Sequence, residues 1–310
     1  MFQPLVSIVI PLYNGSNYVA HAIECALAQT YPNVEIIVVN DGSTDEGAGR
    51  EICLSYGDRI RYFEKENGGC SSALNYGIRQ ARGEFISWLS HDDLYDADKL
   101  DVQVAFYEAH GLDPQKTMIS NGGRLVDENG NPIYRPNRAK TGFLDSADMF
   151  KHLLSDGDFN GCGLLIPKAL LDDSAYFRED MRFVLDWNLW QKLAIKGANV
   201  YVDRRRLVSN RMHSQQVTVK QKDRFAPEME ASCQEIFELL KENPKPEFLR
   251  LLYYYCVSTG QPIAKNMESY MREHRIPVYH LEMLRHIAKK KGVRIAKNIY
   301  HSIRRLKYMR

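Results

Sequence analysis

Short apolar runs separated by polar breaks dominate the first part of the chain. Val6 to Ile10 and Val34 to Val39 are rich in β-branched residues, and two further apolar runs cover Ile60 to Phe63 and Phe85 to Leu89. Runs of this length that end at proline, glycine or polar residues are typical of buried strands. The pattern therefore predicts four strands.

Between these runs, apolar residues recur at the spacing of a helix. Val19, Ile23 and Leu27 are four residues apart, and further helices are predicted near 45–55, 71–81 and 97–110. Alternation of strands and helices in this order predicts βαβ units. We expect an α/β, Rossmann-like fold with a mostly parallel central sheet and helices on both faces.

The pattern becomes mixed after Thr117 and purely helical from about Asp223. In the mixed part we predict a turn at 127–132, a strand at 164–166, a helix at 185–195 and an extended segment at 199–209. The predicted organisation is an α/β domain at 1–220, with halves at 1–115 and 116–220, and a C-terminal helical region at 221–310.

Composition narrows the class of protein. The chain has 310 residues, an apolar content of 44% and a net charge of +2, which favours no strongly charged partner overall. Its six cysteines are scattered and form no Cys-x-x-Cys pair, as expected of reduced thiols in the cytoplasm. No segment has the pattern of a signal peptide or the length of a membrane span. We therefore expect a cytoplasmic location.

The strand at Phe85 to Leu89 is followed closely by two adjacent carboxylates, Asp92 and Asp93. Ligands of open α/β sheets bind at the carboxyl ends of the strands. Neighbouring like charges repel each other unless a cation lies near them, and a divalent metal is the obvious candidate. A helix cap or a polar turn is the alternative.

Polar residues also follow the first two strands. Pro11 to Asn14 follows the first strand and Asn40 to Asp45 the second, so both are expected at the same sheet edge as Asp92 and Asp93. Each segment has a simpler alternative. Asn14 can cap the next helix, and the Asp41 segment and Asn67–Gly69 can be turns only.

The sequence lacks the usual backbone cradles for phosphate. Neither a Gly-x-Gly-x-x-Gly fingerprint nor a Gly-x-x-x-x-Gly-Lys-Ser/Thr loop follows the first strand. A Mg²⁺ or Mn²⁺ ion held by Asp93 could bridge phosphate oxygens instead. With Asp41 accepting from a base N–H, Tyr13 flanking the ring and Asp92 accepting from ribose hydroxyls, these groups suit a nucleoside diphosphate.

The ordered motifs resemble those of the family 2 glycosyltransferases of GT-A fold, of the bacterial polysaccharide type. The resemblance covers about Val6 to His213. It rests on Ser7–Asn14, Val38–Asp45, Asn67–Gly69, Trp88–Asp93 and Phe177–Trp190.

The resemblance implies a role for each matching position. Pro11, Tyr13, Asn14, Asp41 and Asn67 would bind the nucleotide, Asp92 the ribose, Asp93 and His213 the metal, and Arg211 with His213 the diphosphate; Asp186 would be the general base. The implied donor is a nucleotide-diphosphate sugar, with a UDP-sugar favoured. The implied activity is that of a hexosyl- or N-acetylhexosaminyltransferase.

Three positions depart from the family pattern. Ser90 replaces an Asp that often begins the metal motif, Leu74 replaces an Arg, and Leu185 replaces a Glu before the base. These changes bear on metal affinity, on diphosphate contacts and on the tuning of Asp186.

The predicted reaction is an inverting displacement. A carboxylate such as Asp186 takes the proton of the acceptor hydroxyl, and a bound cation neutralises the leaving diphosphate. Two roles stay open, because Asp186 can be a helix cap and His213 a surface residue.

The end of the chain is strongly basic. From Arg275 to Arg310 it has eleven Lys or Arg residues and one acidic residue, Glu282, with apolar residues at helical spacing. This pattern predicts a basic amphipathic helix on anionic lipid, and hence a peripheral location at the inner face of the membrane and a sugar or lipid-linked acceptor. Packing of this helix on the catalytic domain is the alternative. Nucleic acid is not expected as a partner.

Two other functions remain open. A sugar nucleotidyltransferase would carry a Gly-rich basic loop after the first strand, and Pro11 to Gly15 lacks one. A non-catalytic protein that binds nucleotide sugars or glycans would explain Ser90, Leu74 and Leu185.

Overall fold

The computed structural model describes residues 2–133, 141–155, 157, 159–171, 176–214, 216, 222–279 and 282–283. Most of the basic segment from Arg275 to Arg310, with its predicted amphipathic helix, lies outside these residues. Within the described ranges, no helix is long and apolar enough to cross a membrane.

Four parallel strands form the first part of the sheet, in the order β3-β2-β1-β4. They are β1 (Val6–Leu12), β2 (Val34–Asp41), β3 (Arg61–Lys65) and β4 (Phe85–Trp88). The helices of this part are α1 (Val19–Leu27), α2 (Ala48–Leu54), α3 (Cys70–Gln80) and α4 (Lys99–His110). All eight elements were predicted from the hydrophobic pattern, with ends that differ by a few residues.

Beyond β4 the sheet is mixed. Its further strands are β5 (Leu94–Tyr95), β6 (Thr117–Val126), β7 (Pro132–Ile133), β8 (Gly142–Leu144), β9 (Leu164–Pro167) and β10 (Asn199–Arg211). Strand β9 lies antiparallel between β4 and β6, whereas β6 and β10 are parallel. The expected parallel arrangement is therefore limited to two blocks, because β9 runs against both of its neighbours and separates them.

Helices cover both faces of the first block, as predicted. On one face, Ile8 and Ile10 of β1 join a buried apolar cluster with Val19 and Ile23 of α1. On the other face, Val9 of β1 lies so close to Gly77 of α3 that a Cβ on this glycine would be 2.4 Å from a Val9 methyl group. Alternate side chains of β1 thus pack against different helices, on opposite faces of the sheet.

Contacts divide the chain into two units. The first contains Met1–Ser146 and Phe159–Glu228, and the second contains Ala147–Asp158 and Met229–Arg310. This division lies after Glu228, beyond the predicted boundary at residue 220, and it assigns most of helix α5 (Ser146–Ser155) to the second unit. The ring of Phe150 in α5 packs 4.6 Å from that of Phe248.

The described remainder of the second unit is helical, as the sequence predicts. It contains α8 (Pro246–Thr259), α9 (Ala264–Glu273) and most of α7 (Phe225–Glu242); α6 (Leu185–Ile195) belongs to the first unit. Buried side chains such as Phe237, Leu240, Leu252 and Met267 supply its apolar core.

Candidate functional site

Side chains and backbone groups tie the carboxyl ends of β1, β2 and β4 together. The Asn14 N–H donates to Ser43 Oγ (3.0 Å), and the Thr44 N–H donates to Asn14 Oδ1 (2.7 Å). The Pro11 carbonyl accepts from His91 Nδ1 (3.2 Å). The predicted meeting of these strand ends is confirmed. The alternative that Asn14 caps α1 is wrong, because the cap position is Tyr18 and no side chain caps it.

Asp41, at the end of β2, organises the turn that follows β3. Its Oδ1 accepts from Lys65 Nζ (2.8 Å) and the Gly68 N–H (3.0 Å), and its Oδ2 accepts from the Gly69 N–H (2.5 Å). The Asn67 amide donates to the Asp41 carbonyl (2.8 Å). The residue is only 2% exposed. The carboxylate thus holds the turn, and its contact with a nucleobase stays a prediction.

Tyr13 lies at the same edge and is 46% exposed. Leu12 before it is buried, and Asn14 after it is exposed and is joined to Thr44. Its contact with a nucleobase stays a prediction.

Asp92 and His213 form a close pair. Asp92 Oδ2 lies 2.9 Å from His213 Nε2, and both side chains are largely buried. The Tyr18 ring packs against the imidazole with a centroid distance of 5.1 Å. The alternative of a surface histidine is therefore wrong. Tyr18 was not identified from the sequence, where it is one of 18 tyrosines with no motif around it.

Asp93 faces protein donors. Its Oδ1 accepts from the Arg211 N–H (2.9 Å), and its Oδ2 accepts from Asn210 Nδ2 (2.8 Å) and Cys162 Sγ (3.4 Å). Burial and the neighbouring Asp92 charge raise the pKa of Asp93, although these donors oppose the rise. Asp93 was predicted to share a metal with His213, but the structure pairs His213 with Asp92 and uses Asp93 to fasten β10 to the loop after β4.

Arg211 was predicted to contact the diphosphate, and its side chain is largely committed to the protein. Its Nε donates to the Asp92 carbonyl (3.1 Å) and its Nη1 to the Glu128 carbonyl (2.7 Å). The guanidinium also lies 4.9 Å from the centre of the Tyr18 ring. Arg211 thus fixes the backbone that carries Asp92.

Asp186 lies in the first turn of α6 and is half-buried. Burial raises the pKa of Asp186 to about 6, although the Trp187 N–H, which donates to Oδ1 at 2.8 Å, opposes the rise. The cap position of α6 is Val184 and has no side-chain cap. Asp186 is therefore not the helix cap of the alternative interpretation.

Glu228 satisfies the backbone just before α6. Its Oε2 accepts from the N–H groups of Arg182 (2.9 Å), Phe183 (2.7 Å) and Val184 (3.3 Å). Because it lies more than forty positions further along the chain, no local sequence signal connects it with Asp186.

The thiol of Cys70, the first residue of α3, shows that the carboxylates come together. Burial, and after it the charges of Asp92, Asp41 and Asp186, raise the pKa of Cys70 to about 12, whereas the charge of Arg182 opposes the rise. The charges of carboxylates from three separate parts of the sequence therefore act on the start of one helix.

Asp92 and His213 fit a divalent cation. Asp92 Oδ2 and His213 Nε2 lie 2.9 Å apart, so one oxygen and one nitrogen donor are side by side at this edge. A carboxylate and an imidazole would suit an ion such as Mn²⁺. Among the residues that the structure describes, no group of three or more His, Cys, Asp or Glu is placed to hold a metal ion.

Sequence comparison identifies relatives of known family. The profile described as "Glycosyl transferase family 2" matches residues 7–152. An uncharacterized glycosyltransferase of Rickettsia bellii is 47% identical over 71% of this chain and 31% of its own length. One from Rickettsia typhi is 44% identical over 70% of this chain and 67% of its own length. The minor teichoic acid biosynthesis protein GgaB of Bacillus subtilis is 37% identical over 57% of this chain and 20% of its own length.

Structural comparison identifies the same fold in two solved enzymes. S. aureus TarS 1-349 in complex with UDP-GlcNAc has a TM-score of 0.60 and 16% identity, over 94% of this chain and 92% of the other. Mannosyltransferase PcManGT from Pyrobaculum calidifontis, in complex with GDP-Man and Mn²⁺, has a TM-score of 0.60 and 18% identity, over 100% and 84%. Both are GT-A glycosyltransferases, and the predicted fold class is confirmed.

The present chain spans about a third of the length of the first relatives that it matches. Its similarity to the Rickettsia typhi protein, however, covers two thirds of that relative at 44% identity. The chain therefore belongs to glycosyl transferase family 2.

Proposed function

We propose that this protein transfers a sugar from a nucleotide-diphosphate donor to an acceptor hydroxyl, with inversion at the anomeric carbon. The observation that carries the proposal is geometric: the ends of β1, β2 and β4 meet at one edge beside the Asp92–His213 pair, and Arg182, four residues before Asp186, donates to the Gly68 carbonyl at that edge. A nucleotide-diphosphate sugar needs three things in one cleft: an edge that binds the nucleobase, a site for a cation and the diphosphate, and a general base for the acceptor. The UDP-GlcNAc and GDP-Man complexes of proteins with this fold support the same ligand class.

The base and ribose would bind at the ends of β1 and β2. Exposed Tyr13 would flank the ring, and the turn held by Asp41 and Asn67 would supply its polar edge. Pro11 and Asn14 would shape this pocket through their contacts with His91 and Thr44. We favour a UDP-sugar as the donor.

Asp92 and His213 would hold a Mn²⁺ or Mg²⁺ ion, with Asp93 as their support. This assignment replaces the one expected from sequence, because the Asp93 oxygens already accept from three protein donors. When bound, the ion supplies Lewis-acid stabilisation of the negative charge that develops on the departing diphosphate.

Asp186 would act as the general base. It would accept the proton of the acceptor hydroxyl while the oxygen forms a bond to the anomeric carbon and the bond to the diphosphate oxygen breaks. A base on one face and a leaving group on the other give inversion, without the second catalytic carboxylate that a hydrolase requires. A pKa of about 6 leaves Asp186 ionised and still basic near neutral pH.

The acceptor would be a growing surface polysaccharide or a lipid-linked glycan. The name of the relative GgaB, a teichoic acid biosynthesis protein, supports this class. The eleven basic residues between Arg275 and Arg310 favour a peripheral position on anionic lipid.

The test is a panel of UDP-, GDP- and dTDP-sugars with Mn²⁺, in which release of the nucleoside diphosphate is measured. We expect at least one donor to give slow release that EDTA abolishes. Release of pyrophosphate from a nucleoside triphosphate and a sugar 1-phosphate would indicate a nucleotidyltransferase instead. Binding without turnover, unchanged in Asp186→Asn, would indicate a binding protein.

A further inference from the structure

The guanidinium of Arg182 lies directly against the turn after β3. Its Nη1 donates to the Gly68 carbonyl (2.9 Å) and the Glu179 carbonyl (3.1 Å). A Cβ placed on Gly69 would be 1.8 Å from Nη1 and 2.6 Å from Nη2. Gly69 also has a φ of +87°, which side chains rarely adopt. The second glycine of the motif thus makes room for an arginine.

Two other basic side chains near this site already have protein partners. Lys65 is paired with Asp41 at 2.8 Å, and Arg211 donates to the carbonyls of Asp92 and Glu128. Leu74 of α3 is buried and uncharged. Helix α3 has its only basic residue, Arg79, in the last turn.

Arg182 keeps donors for a ligand. An arginine has five N–H groups on three nitrogens, and here the hydrogen bonds of the guanidinium all come from Nη1. Within the described ranges, its Nε and Nη2 have no acceptor. The side chain is half-buried, so a partner of these groups would be partly shielded from water.

The carboxylates around Arg182 would repel an anionic ligand unless a positive side chain faced it. Arg182 Nη1 donates to the carbonyl of Gly68, whose own N–H donates to Asp41 Oδ1, so the guanidinium lies close to the Asp41 carboxylate. At Cys70 its charge opposes those of Asp41, Asp92 and Asp186. A diphosphate entering a cleft with three carboxylates is repelled unless positive charge faces it. A guanidinium can give a phosphate two parallel hydrogen bonds, which a lysine cannot.

We propose that Arg182 binds the diphosphate of the donor, as the cation that neither α3 nor Arg211 provides. The proposal rests on the proposed function and assigns a binding residue to the same cleft. Gly69 is then required because any side chain there would displace the guanidinium.

The experiment compares Arg182→Gln, Arg182→Lys and the matched control Arg178→Gln, whose side chain pairs with Asp180 nearby. Calorimetry measures the Kd of UDP, GDP and dTDP and of the corresponding nucleosides, each with Mn²⁺. For the base that the wild-type protein selects, Arg182→Gln should weaken diphosphate binding about 10- to 100-fold and leave nucleoside binding unchanged. Arg182→Lys should recover part of the loss, and Arg178→Gln should behave as wild type.

The alternative is that Arg182 only holds the turn in place. In that case Arg182→Gln would lower the melting temperature and weaken the nucleoside and the diphosphate equally, which would overturn the proposal. Equal diphosphate affinity in wild type and Arg182→Gln would also overturn it. Absence of any nucleoside diphosphate binding to the wild-type protein would instead refute the proposed function, and the role of Arg182 with it.

Discussion

Two pairs of carboxylates at this site differ in what surrounds their oxygens. Asp41 and Asp93, which we call the anchoring carboxylates, each accept three hydrogen bonds from protein donors. Asp92 and Asp186, the open carboxylates, have fewer donors in the described structure: His213 for Asp92, and only backbone N–H groups, those of Trp187 and of Asp186 itself, for Asp186. Buried acceptors that are saturated by the protein stabilise the fold, whereas those with spare lone pairs remain available to a ligand.

The contrast is sharpest at Asp92 and Asp93, which are adjacent in the sequence. Asp93 connects the loop after β4 to Asn210 and Arg211 at the end of β10. That connection brings His213, two residues beyond Arg211, to Asp92. Asp93 thus fixes the backbone around the site, and its neighbour Asp92 is the carboxylate that we propose contacts the ligand.

The largest effect is expected at Asp186. Asp186→Asn should lower kcat about 10²- to 10⁴-fold, because an amide cannot take the proton of the acceptor hydroxyl. Its melting temperature should stay close to that of wild type. Steady-state kinetics with the best donor of the panel measure the change, and Asp180→Asn, an exposed carboxylate in the same segment, is the control. A kcat within tenfold of wild type would show that Asp186 is not the general base.

The next effect separates Asp92 from Asp93. Asp92→Asn should raise the Mn²⁺ concentration for half-maximal activity about 100-fold, because even the residues that only support metal ligands contribute about 10- to 100-fold to metal affinity. The free energy of unfolding should change little. Asp93→Asn should instead lower the free energy of unfolding by about 1–3 kcal/mol, because its amide group would face donors. Titration with Mn²⁺ and denaturant unfolding measure the two quantities. The reverse result, with Asp93→Asn acting on metal affinity alone, would invert the comparison.

The smallest effect is expected in the pH dependence of kcat/KM, as a fall on the acid side. Burial raises the pKa of Asp186 from 3.8 to about 6, and the base must be ionised to act. At saturating Mn²⁺, kcat/KM should therefore be constant above pH 7 and fall about tenfold for each pH unit below 6. The fall should persist in Arg178→Gln and vanish from the residual activity of Asp186→Asn. A fall centred near pH 4 would show that the carboxyl is more open to water than the structure indicates.

The sequence predicted the alternation of strands and helices in the first part of the fold, since apolar residues with periods of 2 and 3.6 mark these elements directly. It predicted less well beyond β4. The hydrophobic pattern shows that β9 is a strand but not that it runs antiparallel between β4 and β6. Direction in a sheet depends on pairing with distant segments, which periodicity does not encode.

For the site, the sequence by itself determined which residue types meet at the carboxyl edge of the sheet, because parallel strands place their ends together. Tertiary structure alone decided which of Asp92 and Asp93 is open, since adjacent residues in a loop point in directions that only their partners fix. It also decided that Arg182 reaches Gly68 and that Glu228 holds the backbone before α6. These contacts join segments far apart in the chain, and their geometry exists only once the sheet and helices have packed.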